Sequence, residues 1–183
     1  MSMWFGILKK LERIALSDKD KLIRENTQQK ADVKPLGLWY SFSLGRGWMR
    51  GNMVDYGWLD SYKYILYLDT SALNILQIKN LEEAREFIQA YKKHGSEIGN
   101  LNEKIDWDLV SQTFDGIEVL NYKTWYKSWY NTEKRIDKFI FRIFNGWDMD
   151  SGCIWNTQNL KIIKVKPLEQ RHYDKEKEYD FLR

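Results

Sequence analysis

The 183-residue chain has a single cysteine, Cys153, two prolines and two histidines. With one cysteine there is no internal disulfide and no cysteine metal cluster. His94 and His172 stand far apart without ligand-like spacing, which argues against a histidine zinc site. Low cysteine usage fits a reducing, cytoplasmic setting. No apolar run reaches the roughly 18 residues that a membrane-spanning helix needs. The start, MSMWFGILKKLERIAL, has neither a continuous apolar core nor a small-residue cleavage site, so it reads as a helix and not as a signal peptide. Walker, GxGxxG, HExxH, CxxC and GxSxG motifs are all missing, which leaves metal-free chemistry or binding alone.

Hydrophobic residues make up 43% and charged residues 30%, enough apolar content to bury a real core. A net charge of +3 is too small to imply a nucleic-acid partner by itself. The outlier is aromatic content, with nine tryptophans and eleven tyrosines. Most of these read as core, because a large ring packs well once its polar atom has a partner.

One domain is expected, in three parts. Residues 1–18 form an amphipathic helix, with Trp4, Ile7, Leu8, Leu11 and Ile14 at helical spacing. Residues 20–167 form an α+β core with mixed or antiparallel split sheets and flanking helices, because strands and helices do not alternate strictly. Residues 168–183 are a charged tail. Within the core, KLIREN at 21–26 reads as a short strand and GLWYSFS as another. The segment 62–78 reads as strand interrupted by a DTSALN turn. The clearest helix follows Asn80 as its cap, with Leu81, Ala84, Phe87, Ile88 and Tyr91 as its buried stripe, Lys92 and Lys93 in its last turn and Gly95 as its stop. Asp106 caps a second, short helix. DGIEVLNY is a turn into a strand, 124–145 fits either helix or strand, and SGCIWN and LKIIKVKP are strands.

Three polar residues lie in or beside the strands: Arg24, Ser41 and Glu118. Glu118 sits between Ile117 and Val119, so it points to the opposite face from both. On an edge strand it faces water; just after an Asp-Gly turn it overhangs a cleft. The two aspartates at 148 and 150 read as turn carboxylates, and Cys153 as a buried small hydrophobe.

Taken together, Arg24, GLWYS, DGIE and SGCIWN resemble a group of phage and microbial proteins whose layout is similar to the ADP-ribosyltransferase fold. In that fold a first strand supplies Arg or His, a second carries Ser or Tyr, and a later strand supplies a catalytic Glu. The resemblance covers about residues 20–165. It implies NAD as substrate, used without a metal, and places the chain in phage–host conflict, as toxin or anti-defence factor. Arg24 then grips the pyrophosphate, for which a planar guanidinium is suited. Glu118 holds the ribose and faces the positive charge that grows as nicotinamide leaves. Ser41 positions Glu118 or the nicotinamide amide. Ser43, Trp48 and one of Trp39 or Tyr40 complete the cofactor set. Strand alternation puts Trp39 with Ser41 on the ligand side and Tyr40 in the core. The family pattern is not complete: Gly116 stands where protein-modifying members carry Glu or Gln, and Ser41-Phe42-Ser43 replaces Ser-Thr-Ser. That argues against arginine as acceptor and leaves another side chain, a base or water.

A second reading is a non-catalytic module that binds nucleic acid or protein through a basic, aromatic surface. WYKSWY at 125–130 interleaves lysine with aromatics, as single-strand binders do. A third is a degenerate transferase that binds a nucleotide without turnover.

Overall fold

The computed structural model describes residues 12–29, 34–42, 61–93, 104–129, 135–147 and 149–168. Its strands are β1 (Arg13–Ser17), β2 (Leu38–Phe42), β3 (Tyr64–Asp69), β4 (Ile75–Ile78), β5 (Gly116–Val119), β6 (Ser151–Ile154) and β7 (Lys161–Pro167). Its helices are α1 (Leu81–Tyr91), α2 (Trp107–Thr113), α3 (Tyr122–Trp129) and α4 (Arg135–Phe144). The strands form one seven-stranded mixed sheet in the order β4-β5-β6-β2-β1-β3-β7. The class is α+β as expected, but the described strands make a single sheet and not a split pair. Among the described strands only β4 and β5 run parallel; α1 and α2 form the crossover between them.

All four helices contribute to one hydrophobic cluster, which covers one face of β4, β5, β6 and β2. Trp107, Trp125, Trp147 and Trp155 are buried there, so these four tryptophans are core. Tyr40, Phe42, Ala15, Leu66 and Leu68 form a second cluster on the opposite face.

The N-terminal helix is corrected in part. Residues 13–17 are strand, paired with β2 on one side and in five register positions with β3 on the other. Here a backbone ladder on both edges outweighs the local helical spacing. The rest of that expected helix, residues 1–11, lies outside the described residues. KLIREN is also corrected: it runs without a strand partner until Asn26, which makes a single bridge to Asn156.

Helix α1 keeps its predicted stripe, with Ala84, Phe87 and Ile88 buried and Leu81 and Tyr91 packed against them. Asn80 caps it by accepting from the Glu83 N–H at 2.9 Å. It ends at Tyr91, so Lys92 is its C-cap and not part of its last turn; Gly95 lies outside the described residues. The ambiguous segment 124–145 contributes two helices, α3 and α4. Asp150 is the turn carboxylate that accepts from the first N–H of α3, at 2.8 Å. Arg85 of α1 clamps Asp137 of α4 with two hydrogen bonds, at 2.9 and 3.0 Å. Gly37, before β2, has φ +151, and a Cβ there would press on the Ile154 carbonyl.

Candidate functional site

Strand β5 is interior, between β4 and β6, so Glu118 does not sit on an edge. Its register partners are Gln77 on β4 and Gly152 on β6, and Gly152 pairs in turn with Tyr40 on β2. Paired residues share a face, so Gln77, Glu118 and Tyr40 all lie on the face away from the helices. Arg13, paired with Phe42, joins them. Glu118 is 0% exposed.

Four hydrogen bonds converge on its carboxylate. Tyr40 Oη donates to Oε1 at 2.7 Å. Gln77 Nε2 donates to Oε2 at 2.8 Å. Arg13 donates through Nε to Oε1 and through Nη2 to Oε2, the second at 3.1 Å. A carboxylate has about four acceptor positions, so this one is saturated. The ring of Phe42 supports Arg13 from below, with Cζ 5.6 Å from its centroid.

Gly152 makes the Tyr40–Glu118 contact possible. Two strand spacings separate β2 from β5, and the phenol crosses β6 by lying directly over Gly152. A Cβ on that residue would fall 2.5 Å from Tyr40 Oη and 2.7 Å from Cε1. The SGCIWN strand therefore carries its glycine to leave room for a side chain from a neighbouring strand.

The charges interlock. Burial alone would lower the Arg13 pKa, but the adjacent carboxylate more than offsets this and the guanidinium ends above its ordinary value. Burial first, and then the Glu118 charge, push the Tyr40 phenol well above its usual value, so it remains a donor. A group raised in the folded state contributes stability below its unfolded pKa, which is about 10 for tyrosine, and loses it as pH rises through the folded value. Stability should therefore fall above about pH 10, and Tyr40→Phe should flatten that part of a urea-denaturation pH profile.

The other predicted site residues are placed differently. Ser41 pairs with Ser151, which pairs with Val119, so it lies on the helix face, opposite to Glu118. Its hydroxyl is 3.5 Å from the Asp150 carbonyl. Trp39 shares that face and packs 5.0 Å from Trp147, with Lys34 over its ring. The predicted alternation within β2 holds, but the side facing Glu118 is the Tyr40 side. Arg24 donates to the Gln158 carbonyl and does not contact Glu118. Ser43 and Trp48 lie outside the described residues. Sequence reading missed Arg13, Gln77 and Gly152. Arg13 lies in the stretch whose local spacing is helical, and Gln77 gains meaning only from the β4–β5 register.

Burial pushes the Cys153 thiol up, consistent with an inert core residue. Trp125 is buried, with its indole N–H on the Leu120 carbonyl, so it is no stacking platform. Among the described residues no group of three or more His, Cys, Asp or Glu could hold a metal ion, and no helix is long and apolar enough to cross a membrane. A cavity of about 200 Å³ opens between Asp18, Lys19, Leu22, Leu38 and Leu66, separate from Glu118 and smaller than a dinucleotide needs. No protein-family model, curated protein or solved structure matches the chain.

Proposed function

We propose that the chain is an enzyme that cleaves the nicotinamide–ribose bond of NAD and passes ADP-ribose to an acceptor or to water, with Glu118 as its working carboxylate. One observation carries the reading: an arginine from the first strand, a tyrosine from the second and a glutamate from a later strand meet at one carboxylate. This is the order that the resemblance to the ADP-ribosyltransferase layout implies, with Arg13 and Tyr40 in place of Arg24 and Ser41. In the step itself the bond from ribose C1′ to the pyridinium nitrogen breaks. Its electron pair leaves with nicotinamide, which becomes neutral. The acceptor oxygen or nitrogen then forms the new bond to C1′ and releases its proton. The carboxylate stabilises the positive charge that develops on the ribose. Tyr40 and Arg13 hold that carboxylate in place.

A saturated carboxylate must exchange one donor for a ribose hydroxyl. Gln77 is the natural one to yield, since it lies on the edge strand β4, is partly exposed and brings no charge. Arg13 is also partly exposed, at 21% of its side chain, so the Arg13–Gln77 side is the approach. The test is to incubate the protein with NAD and follow nicotinamide release. Gln77→Leu should lower KM for NAD roughly 3- to 10-fold, because a competing hydrogen bond of about 1 kcal/mol is removed. An unchanged or higher KM would show that Gln77 is not displaced. No NAD binding at millimolar concentration by the unmodified protein would remove the whole reading.

A further inference from the structure

The last strand of the sheet carries a feature that the Glu118 site does not use. β7 is the outer strand beside β3, and its sequence is KIIKVKP. In a regular strand Lys161 would face opposite to Lys164 and Lys166, because side chains alternate. The β3–β7 ladder is not regular: Tyr67 pairs with Lys164, but Leu68 pairs with Ile162, so Ile163 is an extra residue. This bulge resets the alternation. Lys161 pairs with Asp69, Lys164 with Tyr67 and Lys166 with Ile65, and these three positions of β3 share a face. All three lysines therefore lie along the same side of the sheet.

An aromatic ring lies within this row. Lys164 Nζ and Lys166 Nζ are 5.5 and 5.4 Å from the centroid of Tyr67. Lys161 and Lys164 are exposed and Lys166 is partly so. Asp69 lies across from Lys161 and offsets it, so Lys164 and Lys166 carry the positive potential. Edge strands also use lysine simply to discourage pairing with other strands. That role needs no aromatic partner and no common face.

We infer that this β7–β3 edge binds the phosphate backbone of single-stranded nucleic acid, with Lys164 and Lys166 on phosphates and Tyr67 as a platform for a base. Lysines that track a backbone beside an aromatic ring are the usual means of gripping a single strand without reading its sequence. The inference is independent of the NAD reading, since none of its residues touches Glu118.

The test uses the full chain and fluorescein-labelled 12-nucleotide DNA and RNA, read by anisotropy between 50 and 200 mM salt. Lys164→Glu/Lys166→Glu should weaken binding at least tenfold. It should also reduce the slope of log K against log salt by about 1.4, as expected for two lost phosphate contacts on a single strand. Tyr67→Ala should weaken binding with little change in slope. Lys79→Glu/Lys123→Glu, which makes the same charge change at exposed sites elsewhere, should have a much smaller effect. No binding by the unmodified chain at 50 mM salt would overturn the inference. So would an equal loss in both double variants, or binding only to anionic phospholipid vesicles. Denaturation midpoints of all variants separate a binding loss from unfolding.

Discussion

Gly152→Ala is expected to destabilise the protein by about 3 kcal/mol. Two effects combine. The added carbon occupies space that already holds the Tyr40 phenol, closer than 3.0 Å to three of its atoms. The ring cannot move aside without withdrawing its hydroxyl from Glu118 Oε1, which would leave a buried acceptor short of a donor. A double-mutant cycle in urea isolates the cause. In a Tyr40→Ala background the space is empty, so Gly152→Ala should cost under about 1 kcal/mol there. In a Tyr40→Phe background the ring remains and so should most of the penalty. If Gly152→Ala costs the same in all three backgrounds, the glycine is needed for the backbone of β6 and not for the passage of Tyr40.

Glu118→Gln should have the second large effect, on both stability and chemistry. The substitution keeps the shape but removes the charge opposite Arg13, whose side chain is four-fifths covered. Breaking such a pair from one side typically costs about 3–5 kcal/mol when both ions are buried. The partial exposure of Arg13 puts the expected loss near the lower end, about 3 kcal/mol. On the proposed function, nicotinamide release should fall at least a hundredfold while NAD binding is retained. Release at the unmodified rate would rule Glu118 out as the working carboxylate. A companion variant separates structure from function. Arg13→Met/Tyr40→Phe/Glu118→Leu replaces the polar centre with apolar groups of similar size, which is often neutral for stability. A folded triple variant without activity would assign the cluster to function. A folded triple variant that still releases nicotinamide would assign it to the architecture alone.

Much of the fold follows from local pattern. The cap and stripe of α1, the Asp106-capped helix and the strands at 38–42, 116–119 and 151–154 can be read from periodicity and turn chemistry, because those signals are set within about ten residues. The first strand could not be read in that way. Residues 13–17 continue a helical spacing, and only the presence of β2 and β3 on either side turns them into strand.

The candidate site divides along the same line. From the sequence, Glu118 stood out as the one carboxylate inside an apolar strand, and the alternation of β2 showed that Tyr40 and Ser41 must face opposite ways. Which of them meets Glu118 depends on sheet order and register. Tyr40, Gly152, Glu118 and Gln77 lie in four different strands but fall on one row of the ladder. Arg13 is 105 positions from its partner in the chain. Composition and periodicity determined that this chain builds an aromatic α+β core with a carboxylate, Glu118, inside an apolar strand, and tertiary structure decided that it is buried. Tertiary structure alone decided which donors surround that carboxylate, because hydrogen bonds across a sheet are set by non-local pairing, on which local sequence has little hold.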